Sequence, residues 1–400
     1  MPGSLACAVM RAGVMLAILI VAACSVHPKL PSQGGPAWTE LKSEHVTLWT
    51  DASPARGQEL VRALERGQRI VTTVMNRPPF DKRVFVIALG EREVESYTGV
   101  GYGGFAWRAD NPTAEPGMMV SADMRDLGRL ANHELTHIIS ADIVKNQPRW
   151  VAEGMAQYFE TVDLDSSLAS VRVGRPPHNI RLLLSQRRPV EKLFICKGAC
   201  ADELFYAKSW LLFAYLVNEH YDQLMSYLQR LDTLPKERHL EAWRATFPDL
   251  SFEQLDDRLA AWLNHGRLQF LHMAIAELRD VPAAVRTLGD ADVLAAHSLI
   301  DVQEDDPAAA ISHAAAALVI DRTHLLAQLV KADVTGAISA EDARATAAAH
   351  PDDWRAWRLV MRAVPGSTEA SQAQARLCTL APRTVAECTA PMDAVSDAKR

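Results

Sequence analysis

The 400-residue chain is predicted to fold as an α+β domain over residues 38–275, helical from about residue 180, followed by an all-α domain over 283–390. Three observations carry this. Arg83–Leu89 is an apolar run of strand length, and Val46, Leu48 and Trp49 mark a strand before it. Leu127, Ala131, Leu135 and Ile138 recur at helical spacing, and the same helix carries two histidines one turn apart. From about residue 283 the chain is alanine-rich and reads as helical. A formal net charge of −7, with no basic cluster interleaved with aromatics, argues against nucleic acid as a partner.

Residues 1–23 read as an export signal. Ala12–Ala23 is uncharged and apolar, follows Arg11, and is short for a bilayer span. Met10 offers a second start with a more ordinary charged region. Val21-Ala22-Ala23-Cys24 looks like a bacterial lipobox, in which the cysteine is lipidated and becomes the mature N-terminus. An ordinary signal peptide with an incidental Cys24 is the competing reading. Ser25 would by analogy permit sorting to the outer membrane. Residues 24–37, rich in Pro, Gly and Ser, read as a tether. The expectation is a protein lipid-anchored to the bacterial cell envelope and facing the periplasm.

Within the first domain, residues 38–50 suggest one or two strands, and Asp51-Ala52-Ser53-Pro54 starts a helix to about Val74. A short helix over Arg92–Tyr97 follows the Arg83–Leu89 strand. Gly99–Trp107 is a glycine-rich turn entering a strand, without the pattern of a nucleotide loop. Met118–Ser121 is a further strand, and Asp123 and Asp126 place acidic and capping groups at the start of the next helix.

That helix holds His133-Glu134-Leu135-Thr136-His137, an HExxH motif. Its histidines lie at i and i+4 on one helix face, where two imidazoles can grip one metal ion with Glu134 beside them. A catalytic zinc takes three protein ligands and one open position. The third is expected to be Glu153, in a second helix that Asn146 and Pro148 separate from the first, with Asp142 and Asp163 next in line. Gly154 would permit close helix approach. The competing reading, an accidental core helix, leaves two histidines and Glu153 unexplained.

HELTH at 133–137, PRWVAEGMAQYFE at 148–160 and the opening strands from Trp38 to Leu48 resemble the peptidase-MA-like gluzincins. The resemblance spans roughly residues 38–270. It implies a zincin-like fold (a small mixed sheet, the HExxH helix and a helical subdomain) and a peptidase with one Zn2+ held by His133, His137 and Glu153. It also implies that Glu134 is the general base and that the sheet edge before the HExxH helix takes extended substrate by strand addition. The gap of fifteen residues between His137 and Glu153 is shorter than in thermolysin-like enzymes. Gluzincins commonly stabilise the oxyanion with a Tyr or His; Tyr206, at a Tyr-containing helix start, is the candidate, beside the reading as a packed core tyrosine. His178 and His220 are weaker candidates.

Tyr206–Leu231 is read as one long amphipathic helix with Trp210, Leu211, Phe213, Ala214, Leu216 and Val217 in the core. Ser251-Phe252-Glu253-Gln254 is a capping box opening the next. Farther on, Asp306–Asp321 resembles the second helix of a tetratricopeptide unit, and Ala343–Asp353 echoes it. A plain helical bundle is the alternative, and residues 391–400 form a tail.

Export bears on the cysteines. With Cys7 removed and Cys24 acylated, Cys196, Cys200, Cys378 and Cys388 remain, and an oxidising periplasm favours local bridges Cys196–Cys200 and Cys378–Cys388. Three pairings are open to four cysteines, and a Cys196/Cys200 metal site lacks a nearby His. The expected function is zinc-dependent peptide hydrolysis, with a peptide or protein substrate and a protein partner on the C-terminal helices. The alternative is a zinc-binding lipoprotein acting as a binding or assembly module, against which the intact Glu134 counts.

Overall fold

A computed structural model of the protein describes residues 29–381 and Cys388, except for 76–79, 81, 100–102, 110–111, 124–126, 165–168, 197–199, 201, 266–270 and 276–281. The export signal with Met10, Cys24 and Ser25, the start of the tether, Asp126 and the 391–400 tail lie outside the described residues. Among the described residues no helix is long and apolar enough to cross a membrane.

The structure is mixed α/β. A six-stranded sheet runs in the order β4-β5-β3-β2-β1-β9. Its strands are β1 (Trp38–Lys42), β2 (Val46–Thr50), β3 (Val84–Leu89), β4 (Gly104–Trp107), β5 (Gly117–Ser121) and β9 (Ala284–Leu288). The central pairs β2/β3 and β3/β5 are parallel, and the outer pairs are antiparallel. Central parallel strands are covered on both faces, which accounts for every residue of β2, β3 and β5 being buried. Alternate side chains separate into two cores, as the period-2 pleat requires. Val84, Val86 and Ala88 join one core with Leu60, Ala131 and Leu135, while Phe85, Ile87 and Leu89 join another with Val293, Ala296 and Leu299. A second sheet has β7 (Ser170–Val173) between β6 (Asp163–Leu164) and β8 (Leu271–Ala274).

Helices cover both faces of the large sheet. Pro54–Val74 opens with the Ser53 side chain accepting the Arg56 N–H at 3.3 Å. Against it packs Leu127–Ile143; a Cβ on Gly67 would fall 2.2 Å from Asn132 Oδ1. Glycine at 67 therefore sets how closely the HExxH helix lies under the sheet. Asp123, at the end of β5, accepts the N–H of Glu91 on Oδ2 (3.0 Å), at the start of Glu91–Thr98.

Two expectations about the second half change. Tyr206–Leu231 is two helices, Glu203–Glu219 and Tyr221–Thr233, broken at His220, whose φ of −143° and ψ of 39° leave the helical region. The break falls in the polar run Asn218-Glu219-His220, and the turn lets Leu224, Tyr227, Leu228 and Leu231 reach the core that Trp150 and Trp243 share. The segment from 283 opens with strand β9, which pairs with β1 in register Trp38↔Leu288, rather than with a helix. Six described helices follow, Asp290–Gln303, Pro307–Ile320, Leu325–Thr335, Ala340–Ala349, Trp354–Ala363 and Thr368–Leu380. The first two pack through buried Ala295, Ala296, Ala310, Ala314 and Ala317, whose small side chains allow close approach, and through the His313 Nδ1 contact to Asp301 Oδ2 at 2.6 Å. This helical region closes the outer face of the sheet.

Candidate metal centre

Leu127–Ile143 buries Ala131, Leu135, Ile138 and Ile139 against the sheet. Its opposite face turns His133 and His137 toward Arg149–Glu160, the next helix, which starts after the Pro148 cap. That second helix is held from behind by Glu203–Glu219. A Cβ on Gly154 would stand 2.6 Å from the Ser209 carbonyl oxygen and 3.0 Å from Phe213 Cβ. Glycine there lets the helix seat deeply enough for Glu153, one residue before, to reach both histidines.

His133 Nε2 and His137 Nε2 are 3.2 Å apart, and Glu153 Oε2 is 3.7 Å from the first and 3.5 Å from the second. Two imidazole nitrogens and one carboxylate oxygen thus converge on one point, and among the described residues this is the one His/Cys/Asp/Glu group that could hold a metal ion. The spacing tests the fit. Donors about 2.0–2.1 Å from a tetrahedral ion lie roughly 3.3–3.4 Å from one another, close to the separations here. The donor set is that of the two-His, one-Glu zinc sites.

Behind this triad stands a residue to which the motif alone assigns no role. Glu160, seven residues after Glu153 and so on the same helix face, places Oε2 3.0 Å from His133 Nδ1. Arg129 pairs with its other oxygen, and Gln157 Nε2 donates to Oε2 at 3.2 Å. A contact from a carboxylate to the far ring nitrogen fixes the imidazole orientation and leaves Nε2 for the metal. The signal in the sequence was a glutamate at the buried C-terminal end of a helix, where the macrodipole disfavours a negative charge unless a cation answers it.

The charges are tightly matched. Burial opposes a proton on His133, but the carboxylates of Glu153 and Glu160 outweigh it and raise its pKa from 6.5 to about 10. Burial raises Glu153, yet the two histidines hold it far below the ordinary carboxylate range. Glu160 is likewise lowered, by His133 and Arg129 against its burial. Glu134 differs: burial raises its pKa, and Glu153 and Glu160 add to the rise while the histidines oppose it. Burial and neighbouring charge thus push Glu134 in the opposite direction from Glu153 and Glu160.

A cleft of about 710 Å³ borders the triad. His137 and Glu153 line it, together with Ala106, Trp107 and Arg108 from the end of β4. β4 is an edge strand, paired on one side with β5. Gln147 also lines the cleft; it is 5% exposed, donates Nε2 to Ser140 Oγ at 3.2 Å, and has no described partner for Oε1. Tyr206 sits half-buried on the first turn of Glu203–Glu219, with its ring 6.0 Å from Phe205, and is not part of this lining. His178 and His220 are also absent from the lining, and His220 Nδ1 lies 2.7 Å from Gln223 Oε1. The alternative ligands are engaged elsewhere, Asp142 with Lys82 and Asp163 with Arg172.

Cys196 and Cys200 form one disulfide and Cys378 and Cys388 the other. Both are the local pairings, and Cys196 forms part of the cleft wall.

None of the curated proteins matches the chain. A family model described as a protein of unknown function (DUF1570) matches residues 131–236, a span that holds His133, Glu134, His137, Glu153 and Glu160. Over those residues, both helices of the candidate centre included, the chain is similar to that family.

Proposed function

We propose that this chain is a zinc-dependent peptidase of gluzincin type with a zincin-like catalytic domain, lipid-anchored at Cys24 and facing the periplasm. The observation that carries the reading is the convergence of His133 Nε2, His137 Nε2 and Glu153 Oε2 beside an open cleft, with Glu134 between the two histidines in sequence. When bound, the ion supplies Lewis-acid chemistry, polarising a scissile carbonyl and making water acidic enough to ionise near neutral pH. The chain's own residues do the rest. The Glu134 carboxylate takes a proton from water and passes it to the leaving amine nitrogen. Glu160, with Arg129 and Gln157, keeps the His133 ring in one orientation. The edge of β4 away from β5 has no partner strand among the described residues and offers backbone groups to an extended peptide. The helices after β9 present the surface for a protein partner, in the manner of a tetratricopeptide array.

Cleavage of an unstructured peptide library by wild type and by Glu134→Gln, each checked for equal zinc, tests the reading. Activity should fall by about two to four orders of magnitude in the mutant, the usual contribution of a positioned general base. Equal activity in both would sink the mechanism, and no activity in wild type would favour a binding or assembly lipoprotein. Labelled palmitate should be incorporated by wild type and not by Cys24→Ser; release of unmodified protein into the periplasm would defeat the anchor.

A further inference from the structure

We propose that the outer face of the Pro307–Ile320 helix rests on the bilayer that holds the Cys24 lipid. This rests on the lipid-anchor reading and adds a second membrane contact, which fixes how the domain faces the surface. Pro307–Ile320 contains no Asp, Glu, Lys or Arg. Its one histidine, His313, is buried against the neighbouring helix at Asp301. Outward the helix presents Ala308, Ile311, Ser312, Ala315, Val319 and Ile320, all exposed and at helical spacing. Val319 is 88% exposed and Ile320 55%. A helix face turned to water normally carries charged groups, whereas one laid on lipid presents apolar side chains.

The length of chain between Cys24 and the fold says what covers this face. Leu30 packs against the outer core, and the N–H groups of Gln33 and Gly35 donate to its carbonyl oxygen at 2.9 Å. The Ser32 N–H donates to Asp290 Oδ1 at 3.1 Å, so this part of the chain is pinned to the start of Asp290–Gln303. Six peptide steps separate Cys24 from Leu30, at most about 20 Å of extended chain. The exposed pair Val319 and Ile320 lies at the same end. Asp290–Gln303 and Pro307–Ile320 are joined by residues 304–306 and run antiparallel. Ile320 therefore returns to the level of the first turn, and His324 Nε2, four residues on, lies 3.3 Å from Asp292 Oδ1. Charged groups here pair among themselves, Asp292 with Arg286 and His324, and Arg322 with Glu341 and Asp342. The contact thus depends on apolar burial.

The strip is small for a protein partner. A helix of 14 residues is about 21 Å long and roughly 10 Å wide, so its outer face offers roughly 200 Å². A stable protein interface takes about 800 Å² from each partner. A face of this size suits a contact that adds to an anchor already in place. The large sheet separates it from the triad. The HExxH helix packs with Val84, Val86 and Ala88, and the Pro307–Ile320 helix with Phe85, Ile87 and Leu89 on the other side. With the second side toward lipid, the triad side turns away from the bilayer, toward soluble peptides rather than membrane-embedded segments.

The test uses the full-length exported protein, reconstituted into vesicles of phosphatidylethanolamine and phosphatidylglycerol. With Cys24 acylated and Cys196, Cys200, Cys378 and Cys388 in disulfides, Val319→Cys offers one thiol for an environment-sensitive dye. Glu253→Cys, at an exposed position in a helix packed on the opposite core, is the reference. The dye at 319 should shift to the blue, resist iodide in the water, and lose fluorescence to lipid bearing a doxyl group near its headgroup. The dye at 253 should show none of these. Iodide reaching both dyes equally would overturn the proposal. Protection at 319 without doxyl quenching would also overturn it, and would mean that a second copy or another protein covers the face. Ile311→Asp with Ile320→Asp, both exposed, should return the 319 dye to its aqueous signal. A signal that survives both changes comes from the dye alone and overturns the proposal. Mass analysis of the mature N-terminus in the same samples separates the two ideas. Acylated Cys24 with the 319 dye in water sinks this inference alone, whereas unmodified Cys24 sinks the anchor reading and this inference with it.

Discussion

His133 Nδ1 lies 3.0 Å from Glu160 Oε2, so the ring that turns Nε2 toward Glu153 is held from behind by a carboxylate on the same helix as Glu153. One helix therefore supplies both a proposed ligand, Glu153, and the group that orients another, His133.

Removing that group should weaken metal binding without touching a ligand. Glu160→Ala is expected to lower zinc affinity by about 10–100-fold, the usual cost of losing such a partner. Glu153→Ala should cost more, because it removes one of three donors. Competition against a chelator of known affinity measures both. An unchanged affinity in Glu160→Ala would remove Glu160 from the centre.

Gly154→Ala should separate the two helices that Gly154 brings together. Its new methyl would meet the Ser209 carbonyl oxygen at 2.6 Å, and that backbone atom cannot rotate aside. A loss of about 1–3 kcal/mol is expected, as for overpacking of a close contact. Denaturant midpoints would show it, and zinc retention should fall in parallel because Glu153 is the adjacent residue. Wild-type stability would mean that the helices contact less closely than described.

The outer face of the sheet carries an acid-labile contact. His297 is 2% exposed, its Nδ1 lies 2.7 Å from the Tyr97 hydroxyl, and Trp38, His313 and Glu93 surround the ring. Burial, with His313 adding to it, depresses its pKa from 6.5 to about 3. Glu93 lends little charge in return, its own carboxyl being pushed up to about 7 by burial and Asp51. The sign follows from proton uptake. Between pH 6.5 and 3 the unfolded chain binds a proton here that the folded chain does not, so stability falls as pH falls through that window. The slope should be at most about 1.4 kcal/mol per pH unit from this group. His297→Gln should flatten it, as read from urea midpoints between pH 6 and 4. An unaltered slope would show that His297 takes up its proton in the folded state.

Non-reducing peptide mapping of exported protein should find Cys196 joined to Cys200 and Cys378 to Cys388, with no free thiol among the four. Because Cys196 lines the cleft, reduction should also change peptide binding there, while the Cys378–Cys388 bridge at the end of the chain should not affect it. Crossed pairings would contradict the structure.

What the sequence determined by itself was local. Helical periodicity places His133 and His137 on one face, Ser53 is legible as a cap by its position before Pro54, and Ser251 with Gln254 forms the capping box read from four adjacent residues. The nearness of Glu153 to the two histidines was also legible, since a helix–turn–helix of this length can bring it back over their face. What only the tertiary structure decided depends on partners distant in the chain. Glu160 acquires its role from Arg129 and His133 on another helix. Asp123 meets the N–H of Glu91, a partner on another helix that its own neighbours in sequence do not announce. The break at His220 is set by where Leu224 and Tyr227 find a core, and β9 becomes a strand by pairing with β1 from the opposite end of the chain. A helix face is fixed by bonds spanning four residues, whereas a strand edge or a buried carboxylate has no fixed environment until non-local packing supplies its hydrogen-bond partners.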